Sequence, residues 1–183
     1  MMTPQELAQA TGARIDRAEE NLPWIAAAMD SYDINTPGRQ AAFLAQIGHE
    51  SGGLHWICEI WGPTETQRRY ETRQDLGNNE PGDGYRFRGR GWLQITGRDN
   101  YRAARDRLRL KFGADVPDFE LAPELIATAR WAAMTAADFW SAHDLNELAD
   151  AGSFEQITRK INGGLNGYPD RLALWDKAKE ALA

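Results

Sequence analysis

From Ser51 to Gly97 the helical period that organises the rest of the chain stops, and Gly, Pro, Asn and Asp accumulate. A stretch this long is not a plain linker inside a compact domain, and long ordered loops are where binding and catalytic groups concentrate. The pattern on either side is helical. "TPQELAQATG" opens with Thr3 as N-cap, Pro4 at the first helical position, Glu6 three residues after the cap and Gly12 as a stop. Apolar spacing predicts further helices over about 17–30, 39–50, 99–110, 120–140 and 154–161, and a last one from Pro169 to about 180. The expected fold class is mainly α, with an irregular or hairpin insert. One domain is expected over 1–183, with room for a small helical lobe within about 98–150.

Composition narrows the function classes. With 42% hydrophobic and 26% charged residues, 183 residues can bury a real core. No run approaches the ~18 apolar residues of a membrane helix, so no stable membrane insertion is expected. The single cysteine, Cys58, excludes an internal disulfide, and a net charge of -6 argues against nucleic acid. The N-terminus lacks a basic segment followed by an apolar core, so no classical secretion signal is expected. Seven Trp is a high count, and some indoles are expected to be exposed for stacking.

"GHESGGLHW" places Glu50 at the end of a greasy run and two glycines behind it. Phe43, Ile47 and Glu50 share one helix face, so the carboxyl leaves on or beside the buried stripe. Desolvation and the negative end of the helix both disfavour its ionised form, as a proton-donating acid requires. The same spacing also fits a surface glutamate followed by a glycine cap.

A glycosidase needs a second carboxylate. Glu59, Glu65, Glu71, Glu80 and Asp83 are in reach by sequence, and Glu59 stands out because Trp56, Ile57, Ile60 and Trp61 flank it. In "GDGYRFRGRGWLQITGRDNY", Arg86, Arg88 and Arg90 alternate with Tyr85, Phe87 and Gly89, the period of an extended segment. Gln94 and Thr96 continue that alternation, and "NGGLNGYPDR" offers another polar, Gly-opened wall. By pattern alone these are equally well turns.

Other chemistries compete with this one. Cys58 with His49, His55 or His143 would make a thiol peptidase or amidase, although a free Cys in an apolar run is usually a small buried hydrophobe. The histidines of "HESGGLH" lack the spacing of a zinc-peptidase helix, and "DLGNNEPGDG" lacks the alternating ligands of a calcium loop, so no metal is expected. A wall-binding or nucleic-acid-binding module would rest on the Trp count and "RFRGRG".

Together, "AAFLAQIGHESGG", "CEIWGPT", "QRRYE", "PGDGYRFRGRGWLQITGRDNY" and "ITRKINGGLNGYPDR" resemble glycoside hydrolase family 19, the chitinase type, and within it the phage endolysin branch. The likeness spans nearly the whole chain. It implies a lysozyme-like, two-lobed helical fold and cofactor-free, inverting hydrolysis of β-1,4-linked amino sugars. Glu50 matches the general acid of the family's "HE[ST]xG" motif. Gln94, Thr96 and Asn100, with the adjoining Tyr101, match substrate- and water-positioning residues, and Thr96 helps to hold the attacking water. Asn162 matches a cleft residue, and Arg171 an arginine that supports the carboxylates. The branch places a glutamate where Glu59 stands, which makes Glu59 the expected base with Glu71 in reserve. The chain departs from plant chitinases in its short segment between Glu50 and Glu59 and in Trp92 where they carry Pro. The implied substrate is the peptide-bearing glycan of peptidoglycan, cut as a muramidase, with chitin the alternative. A monomer is expected, made in the host bacterial cytoplasm and released to the periplasmic wall through a separate membrane pore.

Overall fold

The computed structural model describes residues 2–183. Contacts divide the chain into two compact units, one of residues 2–56 and 139–183, the other of residues 57–138.

The first unit is built on α3 (Pro37–Ser51), which Thr36 caps by accepting from the Arg39 amide at 3.2 Å. Ala41 to Gly48 are all buried, so α3 is covered on every side and is not a surface helix with one apolar stripe. α1 (Pro4–Thr11) packs against it, and its start carries the predicted capping box between Thr3 and Glu6. Gly48 permits this approach, since a Cβ there would lie 2.5 Å from the carbonyl oxygen of Thr11. α2 (Ile15–Ser31) packs on α1, and α10 (Tyr168–Ala181) packs on both α1 and α3. α9 (Phe154–Asn162) brings in Phe154 and Ile157, both buried. α8 (Leu145–Asp150) was not predicted, because six residues are too few to display a period.

The second unit holds most of the irregular stretch. α4 (Glu65–Arg68) and α5 (Asp83–Arg86) are single turns, with 3-10 turns at Arg69–Thr72 and Gln74–Leu76. The alternation over 85–90 does not make a strand. Phe87 is buried edge-on against Tyr101 at 5.3 Å, while the arginines diverge. Arg86 donates to the carbonyls of Glu120 and Leu121, Arg88 lies over the Tyr85 ring, and Arg90 donates to the Tyr101 hydroxyl. The extended pairing among the described residues is two isolated antiparallel bridges, Cys58 with Arg90 and Arg90 with Ile95.

α6 (Arg98–Phe112) supports this region through charge. Arg98 pairs with Asp83, and Arg102 and Arg105 both pair with Glu120. The helix predicted over 120–140 is broken at Thr128, which is extended (φ -94°, ψ 152°) and separates a 3-10 turn at Pro123–Ala127 from α7 (Ala129–Ala142). Pro123 and the Thr128 hydroxyl, bonded to the Leu125 carbonyl, favour the short turn over a continuous helix. No helix among the described residues is long and apolar enough to cross a membrane.

Candidate active site

In the first unit, Glu50 lies in the last turn of α3, with its side chain 21% exposed. Nη2 of Arg171 donates to its Oε1 at 2.5 Å, and Arg171 itself is 2% exposed. Nη1 of the same guanidinium donates to Oε1 of Gln46 at 2.5 Å, and Gln46 donates to the Thr158 hydroxyl at 2.8 Å. One polar chain therefore runs Glu50–Arg171–Gln46–Thr158 through α3, α10 and α9. A buried guanidinium that loses its carboxylate partner is an uncompensated charge, so this pair also fixes where the Glu50 carboxyl sits. Gln46 was not among the expected residues, although its signal was present: it lies one helical turn before Glu50 on the same buried helix. His49 pairs through Nδ1 with Asp170 at 2.5 Å. Asn162 is half-buried at the end of α9, and its Nδ2 has no hydrogen-bond partner.

In the second unit, Glu59 is held by its neighbours rather than solvated. Its Oε1 accepts from Nε2 of Gln67 at 2.9 Å, and its Oε2 from the amide of Gly89 at 3.0 Å. The phenol of Tyr70 lies within reach of its charge. Burial first, and then the charge of Glu59, push that phenol above its ordinary range. Backbone pairing sets the position, with the Glu59 amide donating to the Gly89 carbonyl at 2.8 Å and the Gly91 amide to the Ile57 carbonyl at 2.8 Å. Gly89 is the meeting point. A Cβ there would lie 2.5 Å from Oε1 of Gln94, 3.3 Å from Oγ1 of Thr96 and 3.4 Å from Oε2 of Glu59. Three of the expected residues thus converge on one glycine, and a fourth, Asn100, donates to the Thr96 carbonyl at 2.7 Å. Gln67 and Tyr70 were missed. The capping pattern of Thr64 and Gln67 was legible, but that the Gln67 amide would also reach Glu59 was not.

One expectation needs correction. Tyr101 is fully buried, accepts from Arg90 at 2.8 Å and donates to the Arg88 carbonyl at 2.6 Å. It braces the loop from inside and offers no surface to a substrate. Arg171, expected to support the carboxylates, is buried and bonded to both Glu50 and Gln46.

Glu71 is a staple. It accepts from the amides of Gly82 and Gly84 and ties the loop to the start of α5. Cys58 Sγ donates to the Glu59 carbonyl at 3.7 Å. The histidines are engaged elsewhere: His49 with Asp170, His143 with the Phe139 carbonyl at 2.8 Å, and His55 edge-on against Trp56 at 4.1 Å. No group of three His, Cys, Asp or Glu side chains suited to a metal ion occurs among the described residues.

No family model matches the chain. A Haemophilus influenzae protein named as a glycosyl hydrolase family 19 domain-containing protein is 35% identical, the match covering 75% of this chain and 76% of that one. An Arabidopsis thaliana endochitinase is 34% identical over 77% of this chain but only 46% of its own length, so this chain spans about half of the plant protein. Among solved structures, a bacterial family 19 chitinase superposes with a TM-score of 0.73 at 23% identity, covering 100% of this chain and 95% of that one. That likeness establishes the expected mainly helical, lysozyme-like fold.

Proposed function

This chain belongs to glycoside hydrolase family 19, and from that premise we propose that it cleaves the β-1,4 bonds of bacterial peptidoglycan as a muramidase of the phage endolysin type. That it is a glycoside hydrolase follows from the family; the choice of glycan and the residue roles are our reading. Glu50 protonates the glycosidic oxygen as its bond to C1 breaks. Glu59 takes a proton from a water that forms the new bond to C1 from the opposite face, which gives inversion. Gln94 and Thr96 hold that water and the sugar, and Asn100 holds Thr96.

The observation that carries the reading is the convergence of Glu59, Gln94 and Thr96 on Gly89. It places a carboxylate beside an amide and a hydroxyl, the groups needed to bind sugar hydroxyls and orient a water. The short segment between Glu50 and Glu59 supplies few residues to crowd a peptide-bearing strand, which favours peptidoglycan. A second reading, hydrolysis of chitin, is supported by the endochitinase relative. We further propose that the enzyme acts as a monomer on the periplasmic face of the wall, after release from the host cytoplasm through a separate pore.

Mass spectrometry of purified peptidoglycan digested by wild type, Glu50→Gln and Glu59→Gln tests this reading. New reducing ends at muramic acid are expected from wild type and not from the variants. Free stem peptides, or turnover of chitin alone, would overturn it.

A further inference from the structure

The second unit carries an aromatic and cationic patch beside Glu59 that the roles above leave unused. Trp61 packs edge-on against Tyr85, ring centres 5.3 Å apart, and lies 6.4 Å from the ring of Tyr70. The guanidinium of Arg88 sits over the Tyr85 ring at 4.2 Å. Tyr85 is 52% exposed and the adjacent Ile60 65% exposed, so the patch faces solvent.

Among the described residues, Arg88 is the one arginine that keeps a buried side-chain nitrogen without a hydrogen-bond partner. Arg98, Arg102 and Arg105 of the same unit are all ion-paired. Arg88 has no carboxylate partner among the described residues. Its Nη1 donates to the Tyr85 carbonyl at 3.0 Å, and its Nε is buried with no partner at all. A partly desolvated guanidinium without an anion, stacked on an open aromatic ring, is a site that an incoming carboxylate would complete. The next residue along the chain is Gly89, whose amide holds Glu59. An anion on Arg88 would therefore be bound close to the candidate base.

We infer that Trp61, Tyr85 and Arg88 form a specificity patch for an acidic amino sugar, its ring against the aromatics and its carboxylate on Arg88. The inference rests on the peptidoglycan reading above. Chitin has no carboxylate. Muramic acid brings one either on its lactyl group or on the attached stem peptide.

The test measures kcat and KM for wild type, Arg88→Gln and Arg88→Lys on three glycans: intact peptidoglycan, strands stripped of peptide so that the lactyl carboxylate is free, and chitooligosaccharides. Arg88→Gln is expected to raise KM for the carboxylate-bearing glycans about tenfold relative to chitooligosaccharides. Little change in kcat is expected, and Arg88→Lys should recover part of the loss. An effect on stripped strands assigns the lactyl group, and an effect confined to intact peptidoglycan assigns the stem peptide. If Arg88→Gln shifts all three substrates alike, or none, with peptidoglycan still cleaved by wild type, the patch is overturned and the functional reading stands. A wild type that cleaves only chitooligosaccharides overturns both.

Discussion

Arg171, 2% exposed, holds Glu50 through a 2.5 Å hydrogen bond and has no other carboxylate partner among the described residues. Removing the guanidinium frees the carboxyl that the mechanism needs held, and removing the carboxyl strands a buried cation. Arg171→Met is therefore expected to abolish turnover. Glu50→Ala is expected to destabilise the protein by about 3–5 kcal/mol, as breaking a buried pair does. Glu50→Gln keeps an acceptor for Arg171 and should cost less stability than Glu50→Ala. Urea denaturation ranks the three, and equal stability of the alanine and glutamine variants would contradict the pair's importance.

Glu59→Gln should lower kcat by roughly 10²–10⁴, the range for loss of a positioned acid or base, with the fold intact by circular dichroism. Glu71→Gln should behave differently, because its carboxylate accepts from the Gly82 and Gly84 amides. A stability loss of about 1–3 kcal/mol with turnover retained is expected. If Glu71→Gln alone kills a folded enzyme, the base is Glu71.

Gln67 serves two ends. Its Oε1 accepts from the amides of Gly62 and Thr64, and its Nε2 holds Glu59. Gln67→Ala should cost about 1 kcal/mol through the lost cap and should lower kcat more than it changes KM. An unchanged kcat would mean that Glu59 does not depend on this contact.

The pH dependence of stability should carry the mark of Asp83, whose side chain is 2% exposed and pairs with Arg98 at 2.5 Å. Burial by itself would raise this carboxyl. The Arg98 guanidinium and the amides of Glu80 and Asn79 outweigh burial and hold it below the ordinary carboxylate range. A carboxyl depressed on folding adds stability that is complete above its unfolded value, ~3.9, and is lost as pH falls through the lower folded value. Wild type should weaken below about pH 4. Asp83→Asn should be less stable at neutral pH and less sensitive to acid. Urea midpoints from pH 7 to 3 measure both, and an identical acid slope in the variant would refute the assignment.

Stereochemistry gives an independent check. Inversion at a β-linked substrate releases the α-anomer first, before mutarotation mixes the products. Early proton NMR of a digest should show α excess, and a β excess would require a retaining route in place of the water attack assigned to Glu59.

Much of the fold and part of the site could be read from residue order, because those features are local. The Thr3–Glu6 box, the stop at Gly52 and the apolar spacing of α3 each involve residues within a turn or two of one another. Glu50 and Glu59 could be singled out for the same reason, Glu50 because it shares a helix face with Phe43 and Ile47 and Glu59 because tryptophans and isoleucines flank it. Tertiary structure decided what those charges meet. Arg171 reaches Glu50 from α10, Gln67 turns its cap toward Glu59, and Gly89 gathers Gln94 and Thr96 because no Cβ stands in the way. The alternation at 85–90 failed as a strand because the burial of Phe87 against Tyr101, a contact with α6, outweighed a period of two. Short-range spacing records propensity, whereas the partner of a buried charge is chosen by which distant element packs against it.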